Sequence, residues 1–305
     1  MAAASGLIDW AKDCRVKGHQ PYLLLDSAQA ENSHLRLMRW QVPYESLFEG
    51  KPEASVPEIA PLLIPLLDLT DEQFEKVCDW AMKLAYQAPC LSWMASPLPA
   101  GALADHLRNF HTVKLSEGQS MMMRWYDTRI LPVWLACLSP LQADQFTAGM
   151  LSLQYVNRFG DTSSLFSRQT AGLPPQNPSL GAPLIALTDA QYSMLVDASD
   201  VDTLVSHLRR VITDETNQLT PRVLLEFVGK YQQRAVDAGV DDLDRQTQYV
   251  LLALYTSGKG VEHPACIELM KKPPKSLDDF FKAMQALPED VWNAGPALWD
   301  AGKPL

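Results

Sequence analysis

Arg124, Asp127 and Arg129 are the one charged constellation of this sequence set inside an apolar frame, interleaved with Trp125, Tyr126 and Ile130. Two guanidinium groups beside one carboxylate can hold an anion, or they can pair with the carboxylate and fix the backbone. Charges that share a site with large rings need partners once they are partly buried. The spacing therefore favours a structural corner motif of Arg124, Tyr126, Asp127 and Arg129, with Asp127 capping the helix that follows and pairing with an arginine. His106 and His111 stand five positions apart, about 140° of helical arc, so joint metal ligation is not expected and satisfied or exposed histidines are. The acidic run Asp237, Asp241, Asp242 and Asp244 lacks the turn glycine and closing glutamate of a calcium loop and reads as helix capping.

Other chemistry-bearing patterns are missing from the sequence. Gly258-Lys259-Gly260 has neither the third glycine nor the preceding strand of a dinucleotide loop. No Gly-x-Ser-x-Gly, phosphate-binding loop or His-Glu-x-x-His motif occurs. The expectation is no catalytic, cofactor-binding or metal-binding residues, and no cofactor. Phe280, Phe281, Trp292 and Trp299 sit in a short tail punctuated by Pro and Gly. They either close a core or form a partner-binding patch.

The elements that must position the corner begin with a hairpin over residues 112–126, turning at Ser116–Gln119, whose second arm runs from Met121 to Tyr126. A helix should follow at once, with Asp127 or Thr128 as cap, Pro132 in its first turn, and Ile130, Leu131, Trp134, Leu135 and Leu138 on one face. Upstream, Tyr22–Asp26 reads as a strand covered on both faces. The run Pro61–Leu67 is a strand only if its proline nitrogens face an edge or bulge. Thr70 opens a helix with Phe74, Val77, Cys78 and Ala81 buried; Cys90–Trp93 and residues 151–158 supply further strands. Residues 160–183 are rich in Ser, Thr, Gly and Pro, too polar and broken for an element of their own. Beyond them helices are expected to begin at Thr188, Asp200 and Thr220, and another to cover residues 243–256.

The fold class expected is α+β or α/β: an N-terminal lobe with a mixed β-sheet flanked by helices, and a mainly α-helical C-terminal lobe. The domain plan is 1–160 as the α/β domain, 161–186 as linker and 187–305 as the helical domain. With 305 residues, 47% of them hydrophobic, the chain can fill two cores. Its formal charge of −10 is spread evenly. Residues 1–160 hold 13 basic and 17 acidic side chains, and residues 161–305 hold 13 and 19. Neither half offers the excess of Lys and Arg that nucleic acid or an anionic membrane would require. Five widely spaced cysteines without a Cys-x-x-Cys pattern read as reduced core residues. The N-terminal stretch is interrupted by Asp9, Lys12, Asp13 and Arg15, and no apolar run reaches the roughly 20 residues of a spanning helix. These features point to the cytoplasm and to no membrane insertion.

Six pieces of the sequence carry a resemblance. In order they are Tyr22-Leu-Leu-Leu-Asp26 with Ser27-Ala28; Leu47-Phe-Glu-Gly50; Ala60-Pro-Leu-Leu-Ile-Pro-Leu66; Leu91-Ser-Trp93; Ser96-Pro-Leu98 leading to His106-Leu-Arg-Asn-Phe110; and Arg124-Trp-Tyr-Asp-Thr-Arg-Ile-Leu131. Collinear over about residues 20–150, they resemble the domain-of-unknown-function family 4123 of type VI secretion effector adaptors, also called effector chaperones. That family usually has Pro where this chain has Thr128, a change that keeps a helix start possible. The resemblance implies a non-enzymatic cytosolic adaptor that binds a cognate type VI effector toxin and helps load it onto the VgrG spike protein, a role in bacterial competition. It says little about the helical half. Two other classes stay open: a small hydrolase using Asp127 or His106 in an interlobe cleft, and a structural component of the secretion apparatus.

Overall fold

The computed structural model describes residues 2–170 and 185–301. The chain separates into two compact units, Met1–Val196 and Asp197–Leu305.

In the first unit the order is α1 (Ala2–Val16), β1 (Gln20–Asp26), α2 (Ser33–Arg39), β2 (Glu45–Ser46), β3 (Pro61–Pro65), α3 (Asp71–Ala85), β4 (Leu91–Ser96) and α4 (Ala100–Arg108). β5 (Thr112–Lys114), β6 (Ser120–Met122), α5 (Leu131–Cys137), α6 (Pro140–Thr147), β7 (Ser152–Val156), β8 (Thr162–Ser167) and β9 (Ile185–Ala186) follow. Six strands form one sheet in the order β2-β3-β1-β4-β7-β8, every neighbouring pair antiparallel where a register is given. The expected class, a sheet flanked by helices followed by a helical region, is what the chain adopts. The parallel pairing that makes the architecture mixed lies in a second sheet, β6-β5-β9, where β5 pairs parallel with β9.

β1 is buried from Pro21 to Asp26 and β4 along its whole length, so the sheet centre is covered on both faces, as the unbroken apolar run of β1 demands. The prolines of β3 are accommodated by strand alternation. Leu66 donates its N–H to Pro21 O on the β1 side, while Leu47 N–H reaches Pro61 O from the other. The nitrogens of Pro61 and Pro65 thus point away from β1, toward β2, which opposes only Leu62 and Leu63. α3 opens on the capping box that Thr70 and Gln73 announce in the sequence.

Three local expectations need correction. The hairpin's second arm ends at Met122 rather than Tyr126, and residues 125–130 form turns ahead of α5. β8 is a strand paired with β7, although residues 160–183 read as too polar for any element; a terminal strand half-open to solvent does not need an apolar face. Residues 171–184 of that stretch lie outside the described residues. Finally, the starts expected at Thr188 and Asp200 belong to one helix, α7 (Asp189–Val211), because Asp200 and Asp202 lie within it without ending it.

The second unit continues with α8 (Thr213–Thr216), α9 (Pro221–Asp237), α10 (Leu243–Tyr255), α11 (Pro264–Lys271), α12 (Leu277–Gln285) and α13 (Glu289–Trp292). Leu208, Leu224, Val228, Val250, Leu254 and Phe280 are among its fully buried residues. Asp242 caps α10 through Arg245 N–H at 2.9 Å. The buried Arg245 guanidinium also pairs with Asp241 and Asp242 and donates to Pro274 O at 2.8 Å. The acidic run is in part a cap and an arginine clamp. Gly258 follows α10 at φ +86°, where a Cβ would lie 1.8 Å from Tyr231 Oη. Backbone conformation and lack of space both demand glycine here, with no phosphate required to explain it.

Candidate functional site

The charged corner is built on β1. Its last residue, Asp26, is wholly buried, accepts Ala28 N–H at 3.0 Å through Oδ1, and accepts Arg124 Nη2 at 2.8 Å through Oδ2. Arg124, from the turns after β6, keeps 36% of its side chain exposed and also lies 3.6 Å from Asp127 Oδ2. Asp127 in turn receives Arg129 Nε at 3.0 Å and Nη2 at 2.7 Å, a two-pronged contact that uses both carboxylate oxygens.

Asp127 does not cap α5 through its side chain. Its Oδ1 accepts the N–H of Arg129 two residues on, an Asx turn, while its backbone carbonyl accepts the N–H of Leu131 at 2.8 Å. The helix begins without a side-chain cap, with Pro132 in its first turn. Trp125 and Tyr126 are buried against each other and against the core, with ring centroids 5.7 Å apart. The corner joins β1 to residues 124–129 by charge-assisted bonds.

Burial pushes the Asp26 carboxyl upward from its ordinary value; the Arg124 guanidinium pulls it the other way and does not fully compensate. Burial works against the charge of Arg124, yet Asp26 and Asp127 outweigh it and hold the guanidinium protonated more firmly than usual. Burial, and then the Asp26 charge, push the Tyr126 hydroxyl well up, so it stays protonated.

His106 and His111 go to separate tasks. His106 is buried, and its Nε2 donates to Phe146 O at 3.0 Å, which fixes the neutral tautomer; burial lowers its pKa. His111 Nε2 lies 3.2 Å from Glu53 Oε2, within ion-pair reach but without hydrogen-bond alignment, and burial likewise lowers it. Among the described residues no group of three or more His, Cys, Asp or Glu side chains is placed to hold a metal, and no helix is long and apolar enough to cross a membrane.

The C-terminal aromatics divide. Phe280 is wholly buried and leaves the candidate patch, because it shares the inner face of α12 with Met284 four residues on. Phe281 is 42% exposed. Trp292 and Trp299 are half-buried against the helical core, with Trp299 edge-on to Tyr255 at 5.0 Å.

Sequence reading missed Asp26 as a member of the corner, since a separation of 98 residues leaves no periodic trace. The available signal was an acidic residue ending an otherwise apolar strand. It also missed the groove of about 280 Å³ that Leu135 and Ala143 form with Leu165 and Phe166 of β8.

Residues 21–145 match the family model described as "Domain of unknown function (DUF4123)". No curated protein and no solved structure matches the chain.

Proposed function

We propose that this protein is a non-enzymatic adaptor of a type VI secretion system, which binds one cognate toxic effector in the cytoplasm and assists its loading onto the VgrG spike. The observation that carries the reading is the agreement between the collinear sequence pieces over about residues 20–150 and the family match over residues 21–145. Those pieces supply β1, β3 and β4 of the central sheet and the corner that fastens β1 to the turns before α5.

Asp127 and His106, the side chains of the hydrolase alternative, are engaged in the fold. Asp127 spends both carboxylate oxygens on Arg129, and His106 gives its Nε2–H to a backbone carbonyl. The thiols are buried and pushed upward, Cys14 and Cys266 to about 11 and Cys78 and Cys90 to about 12, far from the thiolate that nucleophilic attack needs.

Co-expression with a type VI effector toxin and a VgrG spike protein from the same genome tests the proposal. An adaptor gives a stable complex with the toxin by affinity capture and size-exclusion chromatography, and a complex of all three when the spike is added. A purified protein that binds neither overturns the proposal.

A further inference from the structure

The two outer strands of the six-stranded sheet are finished differently. At one edge β2 is two residues long, and the Arg108 guanidinium donates to Ser46 O at 2.8 and 3.1 Å while pairing with Glu45 and Glu49. A strand cannot be added there without displacing that guanidinium. β8 at the other edge is six residues of sequence TSSLFS, with no Lys, Arg or Pro, the residues that commonly guard a sheet edge. Among the described residues no strand lies on its outer side.

The direction of its free backbone groups follows from the pairing. Asn157 donates its N–H to Asp161 O at 2.9 Å across the turn, and the register then runs Val156 with Thr162, Tyr155 with Ser163 and Gln154 with Ser164. Antiparallel alternation turns the N–H and C=O of Thr162 and Ser164 away from β7. Two donors and two acceptors at strand spacing suit an extended chain.

A register shift between Leu153 and Gln154 leaves Leu165 as the extra residue of a bulge. Consecutive side chains of a regular strand point to opposite faces, yet Leu165 and Phe166 both line the groove of about 280 Å³ closed by Leu135 of α5 and Ala143 of α6. The Arg168 guanidinium, 4.8 Å from the Phe166 ring centroid, is committed to Met150 O at 3.0 Å and Thr147 O at 2.6 Å. Asp144 stands exposed among the lining residues.

We infer that β8 is a docking edge: an extended segment of the partner protein adds to the sheet beside β8 and places one apolar side chain in the groove. Open backbone groups provide affinity and the groove provides selection, the division of labour of strand addition. The inference rests on the adaptor reading for the identity of the partner, which is the cognate toxin.

Two substitutions test it. Ser164→Pro removes an outward N–H and leaves the ladder to β7 intact, since proline is tolerated on an edge whose nitrogen faces outward. Ala143→Phe fills the groove and does not touch the edge. The toxin that co-expression identifies as the partner is titrated onto immobilised wild-type protein and each variant, with thermal melts in parallel.

The expected result is wild-type binding, with both variants melting normally and binding at least tenfold more weakly. If the wild-type protein does not bind the toxin, the adaptor reading and this inference fall together. If the wild type binds and the correctly folded variants bind equally well, the docking edge is wrong and the adaptor reading stands. Should Ser164→Pro fail to fold, Ala143→Phe decides alone. A wild-type dimer that Ser164→Pro dissolves would assign the edge to a second copy of this chain and overturn the inference.

Discussion

Asp26 is fully buried and has Arg124 as its charge partner, so the pair has an asymmetric response to substitution. Breaking a buried ion pair by removing one side costs about 3–5 kcal/mol. The partial exposure of Arg124 places Arg124→Ala near or below the lower end of that range. The loss should depend on pH. Burial already raises the Asp26 carboxyl in the folded protein, and removing Arg124 takes away the largest influence opposing that rise. Above about pH 4 the unfolded chain releases this proton while the folded variant retains it, so stability falls as pH rises through that window. Thermal melts of wild type and Arg124→Ala at pH 4.5 and 7.5 should show the larger deficit at pH 7.5. An equal deficit at both would mean that Asp26 is not the group left stranded. If the corner is structural, toxin capture by Arg124→Ala should decline only as far as folding does.

At the scale of the element, α10 shows how a local sequence signal becomes stability. Asp242 receives the N–H of Arg245 and pairs with its guanidinium; despite desolvation, these contacts hold its carboxyl below the usual range. Asp242→Ala should cost about 1 kcal/mol for the lost cap, and more where the buried arginine is left with fewer partners. The expected outcome is a lower denaturation midpoint with an unchanged slope, read by circular dichroism in urea. The same local logic made the caps at Thr70 and Thr220 and the strand Tyr22–Asp26 legible in the sequence, since each is announced within a few residues. It failed where the deciding interaction was distant. β8 has too little contrast between apolar and polar positions to be read alone and is a strand because β7 offers it a ladder. Asp200 and Asp202 look like caps but are positions along α7. The corner was legible as a charged group needing partners, while its partner on β1 was not, and neither was the Asx turn that Asp127 forms instead of a cap.

For the whole molecule, the five buried cysteines are reporters of each unit. Cys14, Cys78, Cys90 and Cys137 belong to the first and Cys266 to the second. Burial raises every one of these thiols, so the native protein at neutral pH should react with a thiol reagent orders of magnitude more slowly than the unfolded chain. Mass spectrometry after labelling across a denaturant series locates the loss of protection in each unit, and rapid labelling of any cysteine in native buffer would contradict the burial described. The Asp26–Arg124 bond also bears on how this sequence can drift. Its two ends lie 98 positions apart in the chain, and changing Arg124 alone leaves a wholly buried carboxyl without its nearest cation. Loss of Asp26 leaves a part-exposed guanidinium that still has Asp127 at 3.6 Å, so the harsher single step is the loss of Arg124.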